Sequence, residues 1–256
     1  MSTQIGAIIE MDEIKEGLIR LFTDAHAIIK NFRKRTFSED YEALKAKDGG
    51  VVFEIEEMIS ASDNKDALID EVSKILPEYV AGLPKKASMT IDYNMSMAAY
   101  VIPILTSSKS DDMEVLADKT IKLWNEIAVK DLKLSKSNYE MIAGGFKKHW
   151  FCFITTAVCE SENKPDDCYE LRTLRGFRDD YLNNTKDGKA LVSDYYDRAP
   201  ALVMAIDMRP DKKEIYKDIL NTWITPCVGL IEKGKNEECK RNYIDMVNCL
   251  FGKYYF

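Results

Sequence analysis

The sequence predicts an all-α protein, a multi-helix bundle with two abutting helical parts. Three observations carry that prediction. Apolar residues recur at three- and four-residue spacing in one segment after another. Runs with the two-residue alternation of a strand are few. Gly, Pro and capping residues cut the chain at helix-like intervals. The seam falls at Gly144-Gly145, giving an N-terminal helical region over 1–143 and a C-terminal helical domain over 144–256. A single continuous bundle is equally compatible with the pattern.

Residues 12–32 place Ile14, Leu18, Leu21, Phe22, Ala25, Ile28, Ile29 and Phe32 on one helix face, with His26 at its edge. Arg33, Lys34 and Arg35 follow as a solvated cationic helix end, with an anion patch as the alternative. Ser38 is the expected N-cap of the next helix, with Phe37 before it as a staple. Gly49-Gly50 should interrupt that helix, and the glutamates of VVFEIEEMIS favour helix over strand after it. Ser62 or Asp63 is expected to cap a helix that Pro77 kinks and Gly82-Leu83-Pro84 stops. Residues 88–106 are the most apolar segment, a central helix in which Pro103 deprives the Ala99 carbonyl of its usual donor. Val115, Leu116, Ile121 and Trp124 lead a further helix. Ser137-Asn138-Tyr139-Glu140 reads as a capping box opening a short helix that ends at Gly144-Gly145.

The second part holds a helix carrying Cys152 and Cys159, a turn at SENKP, and a helix over 166–182 with Pro165 and Cys168 in its first turn. Three more helices follow over 188–209, 211–231 and 236–255, with internal prolines at 200 and 226 in the first two.

Composition sets limits on function. A hydrophobic share of 46% and a charged share of 31% are those of an ordinary globular protein and exclude disorder as the default. A net charge of −7 argues against a general nucleic-acid binder. No apolar run approaches the roughly 18 residues that span a bilayer, so no membrane role is expected. The first residues lack a signal peptide's basic start and long apolar core, which predicts a cytoplasmic protein with reduced thiols.

The six cysteines allow three readings. A C-x6-C-x8-C run offers Cys152, Cys159 and Cys168 as candidate metal ligands or redox thiols, although the spacing matches no familiar zinc or iron–sulfur motif. Cys152 with His149 is a candidate nucleophile–base pair for catalysis. Free cysteine also serves as a small core residue, as the apolar positions of Cys227 and Cys239 suggest. Arg175 and Arg178 lie on or beside the core stripe of their helix, where a guanidinium needs a partner. Asp179, Asp194 or Glu170 could supply an ion-pair network. Alternatively, Arg175 and Arg178 form an anion-binding pocket with Tyr195 and Tyr196, because the arginine fork suits carboxylate or phosphate. Phosphate-loop, dinucleotide-binding, HExxH and GxSxG patterns are absent, and the sequence names no cofactor.

Cys152-Phe153-Ile154-Thr155-Thr156-Ala157, the run from Leu174 to Leu182, Tyr195-Tyr196 and Ala199-Pro200 together resemble the CFI-box C-terminal-domain family of uncharacterised bacterial proteins. Pro165 to Leu171 and the lead-in Gly144-Gly145-Phe146-Lys147 are similar to a clostridial-type subgroup. The resemblance covers roughly 144–256 well and the first half more loosely. Many members carry tyrosine or glycine where this chain has Cys159. The resemblance implies a portable module used beside varied partners, which favours binding over a fixed chemistry. The leading expectation is a helical module that binds a partner protein or small anionic ligand through Arg175, Arg178, Tyr195 and Tyr196. A thiol redox or metal-binding protein, and then a cysteine-nucleophile enzyme, are the alternatives.

Overall fold

A computed structural model describes residues 2–148 and 153–255, and no strand occurs among them. The protein is all-α. Its contacts divide it into two compact units, Met1–Phe32 with Thr36–Ala143, and Arg33–Arg35 with Gly144–Phe256. Among the described residues no helix is long and apolar enough to cross a membrane.

In the first unit, α1 (Ser2–Ile29) buries the predicted stripe of Ile14, Leu18, Leu21, Phe22, Ala25 and Ile29. It ends three residues before Phe32, whose ring is nonetheless buried. α1 lies so close to α3 that a Cβ at Gly17 would come within 2.8 Å of a Val51 methyl. α2 (Phe37–Asp48) is preceded by Thr36, and Ser38 lies inside the helix rather than capping it. The Ser38 hydroxyl instead accepts a 3.0 Å hydrogen bond from Tyr139. α3 (Gly50–Ala61) is helical from its first residue, Val51-Val52-Phe53 included.

The cap of α4 (Lys65–Val72) is Asn64, whose side chain accepts from the Ala67 amide, not Ser62 or Asp63. The chain then breaks at Ser73-Lys74, ahead of Pro77. The proline therefore falls in the first turn of α5 (Ile75–Ala81), where its missing N–H costs nothing, and does not kink a longer helix.

α6 (Ala87–Ser96) runs into a π turn at Met97–Val101 and then α7 (Ile102–Leu105). Pro103 stands two residues after the π turn. The widened turn moves the donors along by one residue, with Ile102 N–H meeting the Met97 carbonyl, and so accommodates the proline within a nearly continuous helix. The same device recurs in the second unit before Pro226. α8 (Asp111–Leu123) ends in another π turn, Trp124–Ala128, closed by Val129 N–H on the Trp124 carbonyl at 3.2 Å. α9 (Tyr139–Lys148) is capped by Asn138, which accepts from the Met141 amide at 2.8 Å, not by Ser137. Ser137 donates to the Ala98 carbonyl. α9 also continues through Gly144-Gly145, so the glycines do not end it.

Burial sets a pH dependence in this unit. Asp92 is half-buried and, desolvated with only Lys30 nearby in compensation, its carboxyl is raised to about 6. A carboxyl raised in the folded state contributes stability below its unfolded value, lost as pH rises through about 6. Asp92→Asn is therefore expected to stabilise the protein at pH 7, by about 1–3 kcal/mol, and to flatten the stability profile between roughly pH 4 and pH 7. Urea unfolding across that window checks it, and a variant with the wild-type slope would assign the titration elsewhere.

In the second unit, α10 (Phe153–Ser161) is the central helix, with Phe153, Ile154, Thr155, Thr156, Val158 and Cys159 all buried. It packs on α11 (Tyr169–Asp180), α12 (Lys186–Asp207) and α13 (Lys212–Ile219). α12 passes unbroken through the buried Pro200. α13 continues through the π turn Leu220–Ile224 into α14 (Thr225–Glu232), and α15 (Asn236–Tyr254) closes the unit. Arg33–Arg35 are not a merely solvated end. They close around the buried carboxylate of Asp197 on α12, which accepts from the Arg35 amide at 3.0 Å.

Candidate functional site

A half-open cleft of about 120 Å³ lies among α11, α12 and α15. Its walls are mostly apolar. Leu174 and Phe177 come from α11, Leu182 from the turn after it, Leu191 and Val192 from α12, and Ile244 and Val247 from α15. Gly188 sets the entry of α12 beside Leu182. Its amide is held by the Thr185 hydroxyl, and a Cβ there would lie 2.0 Å from the Leu182 carbonyl oxygen.

Three tyrosines line the cleft, and the hydroxyls of two of them meet. Tyr195 Oη accepts from the Ile154 backbone N–H at 3.0 Å and lies 3.3 Å from Tyr243 Oη. Tyr243 Oη in turn lies 3.4 Å from Thr155 Oγ1. Tyr196 Oη accepts from Arg178 Nη1 at 2.7 Å. This chain of hydroxyls ties the cleft to the central helix and fixes the rings that line it.

Arg178, Tyr195 and Tyr196 thus come together, while Arg175 does not join them. Arg175 turns back to the loop before its helix, donating from Nη1 to the Asp166 carbonyl at 2.7 Å and from Nη2 to the Asp166 carboxylate at 2.8 Å. The Arg178 fork is engaged by Asp179, at 2.7 Å from Nε and 2.6 Å from Nη2. That guanidinium holds the Asp179 carboxyl below the usual carboxylate range. Glu170 pairs with Lys164 rather than with either arginine. Arg198, also on the cleft, pairs with Asp194 at 3.3 Å and stacks over Phe251. Lys240 is the cleft cation that makes no ion pair with any described residue. Lys240 and Tyr243 were not singled out as site residues by the sequence. Their positions at i and i+3 on α15 put them on one helix face.

The thiols are arranged in pairs. Cys159, in the last turn of α10, and Cys168, directly before α11, bring their sulfurs to 3.3 Å in a buried cluster with Leu171. The turn between them is a Schellman closure. Asn163 takes φ +56°, and the Lys164 N–H returns to the Cys159 carbonyl at 2.8 Å. Pro165 therefore stands outside the helix, in a turn whose carbonyl accepts the Cys168 N–H, and Cys168 caps α11 instead of lying in its first turn. Burial pushes the Cys159 thiol up. Cys227 and Cys239 form a second buried pair through a shared hydrogen bond, which lowers Cys227 and raises Cys239. Cys152 and His149 lie outside the described residues, so the nucleophile–base pairing and a third thiolate from Cys152 have no geometry here.

Comparison of the chain with protein-family models, curated proteins and solved structures finds no match in any of the three.

Proposed function

We propose that the second unit is a non-catalytic binding module whose cleft takes a small ligand with an apolar body and an anionic end. The observation that carries this reading is an apolar hollow floored by fixed tyrosines and flanked by an uncommitted lysine. Apolar walls supply affinity and a few placed polar groups supply orientation. The anion partner moves from the arginine pair of the sequence reading to Lys240. Arg175 and Arg178 are neutralised by Asp166 and Asp179, and an anion would have to displace those carboxylates. The resemblance of 144–256 to a portable C-terminal module supports a recognition role. The five described cysteines are free thiols, in keeping with a reducing, cytoplasmic setting.

The size of the cleft narrows the ligand. A cavity of about 150 Å³ admits a benzene ring, so one ring or a short aliphatic chain fills this one. Benzoate and its uncharged counterpart benzyl alcohol are the probes, followed by calorimetry and by amide shifts on full-length protein. Both are expected to bind saturably. Lys240→Met should weaken benzoate about five- to tenfold, the value of one charge-assisted contact, while leaving benzyl alcohol unchanged. Val247→Trp, which fills the hollow, should abolish both. No saturable binding of either probe, or benzoate binding indifferent to Lys240, rejects the reading.

A further inference from the structure

We propose that Cys159, Cys168 and Glu170 form a binding site for a thiophilic divalent cation of the zinc class. One ligand atom from each lies within 4.8 Å of the others, and no other such cluster of three occurs among the described residues. The site is built from backbone structure. The Schellman turn closes α10 just after Cys159, the Pro165 carbonyl holds the Cys168 amide at 2.9 Å, and Glu170 follows in the first turn of α11. Both sulfurs are buried, and Glu170, with a side chain 20% exposed, gives the cluster its opening to solvent.

The distances suit a cation. Zinc binds thiolate sulfur at about 2.3 Å, so two sulfurs in a tetrahedral site stand roughly 3.8 Å apart. From 3.3 Å, the protein needs to open the pair by only about half an ångström. A disulfide would instead require closure to about 2.05 Å. The charges also match. Two thiolates and one carboxylate leave a dication with one negative charge in excess, and the ammonium of Lys164, already paired with Glu170, cancels it. Binding expels the two thiol protons to solvent and breaks no covalent bond other than S–H. Glu170 enters as a carboxylate already paired with the Lys164 ammonium. The fourth coordination position falls to water.

The second thiol pair is a built-in control. Cys227 and Cys239 are equally buried in the same unit, but no carboxylate or histidine joins them in a cluster of three among the described residues. The test titrates Cd²⁺ into reduced, metal-free full-length protein under anaerobic conditions and follows thiolate-to-metal absorption and proton release. A single ion is expected to bind with release of about two protons. Cys159→Ser and Cys168→Ser should each lose at least about 100-fold in affinity, and Glu170→Gln about tenfold. Cys227→Ser should bind as the wild type does. Far-ultraviolet circular dichroism confirms that each variant is folded, and Glu170→Gln, at the least buried of the three positions, serves if a serine variant is not. Absent absorption, absorption that survives loss of Cys159 or Cys168, binding unchanged by Glu170→Gln, or dependence on Cys227 overturns the proposal.

Discussion

Trp124→Ala is expected to destabilise the first unit by about 3–5 kcal/mol, read as a fall in the urea midpoint at unchanged slope. Trp124 is fully buried in the π turn that ends α8, beside the Phe22 ring of α1. Two costs add. Truncation removes a large apolar body from a packed interior, which relaxes only partly around the hole. It also removes the indole N–H that Asn94 Oδ1 accepts at 2.6 Å. Asn94 is buried too, and its amide nitrogen already lacks a partner in the structure, so the variant would strand the whole side chain. Trp124→Phe separates the two costs. It keeps most of the ring and should lose only about 1–3 kcal/mol, the value of an orphaned buried acceptor. Adding Asn94→Leu to Trp124→Phe should recover part of that loss, because neither polar group then remains to be satisfied. A Trp124→Phe variant as unstable as Trp124→Ala would show that volume is not the main contribution.

This pair also marks where sequence reading stops. The amphipathic stripe of α1 and the helical class follow from spacing alone, because each residue's burial depends on its own helix. That Trp124 meets Asn94 depends on two helices crossing, and no periodicity carries it. Proline was legible as a perturbation but not as an outcome. Pro77 falls in a first turn, Pro103 and Pro226 each follow a π turn, and Pro200 is absorbed within α12. Choosing among these depends on where the neighbouring backbone can yield. The capping positions missed by one or two residues, at Ser38, Ser62, Asp63 and Ser137, for a similar reason. Several capping residues stand in a row at each site, and only the path of the preceding chain selects one.

At the cleft, Arg178 was legible because a guanidinium on or beside a core stripe needs a partner, and Tyr195 and Tyr196 were grouped with it as candidate ligand contacts. Arg175 looked equivalent from its three-residue spacing, but the turn before α11 supplies it with Asp166. Tyr243 carries no mark in its own helix that sets it apart. Only the meeting of α11, α12 and α15, drawn from positions up to about seventy residues apart, makes it a lining residue. Likewise, Cys159 and Cys168 formed an unfamiliar spacing until Asn163, in a left-handed conformation, turned the chain back between them.

Asp197→Ala is expected to cost the second unit about 2–4 kcal/mol, against about 1–2 for Asp197→Asn. The carboxylate side chain is only 9% exposed and collects contacts from one short stretch of chain. Its Oδ1 accepts the Arg35 amide at 3.0 Å, and its Oδ2 lies 3.3 Å from Arg35 Nε and 3.8 Å from Arg33 Nε. Its own carbonyl accepts the Lys34 amide at 3.0 Å. Alanine would leave the Arg35 N–H without its acceptor and three consecutive cations without their buried counter-charge. Asparagine keeps an acceptor for the amide and loses only the charge. The two contributions respond differently to salt, because both guanidinium groups reach solvent, with side-chain exposures of 39% and 74%. The gap between wild type and Asp197→Asn should therefore narrow as ionic strength rises, while the gap between asparagine and alanine should stay constant. Chemical denaturation in urea at low and high sodium chloride measures both gaps. An alanine variant matching asparagine at every salt concentration would mean that the Arg35 amide finds another acceptor, and that the Asp197 side chain acts on Arg33–Arg35 through its charge alone.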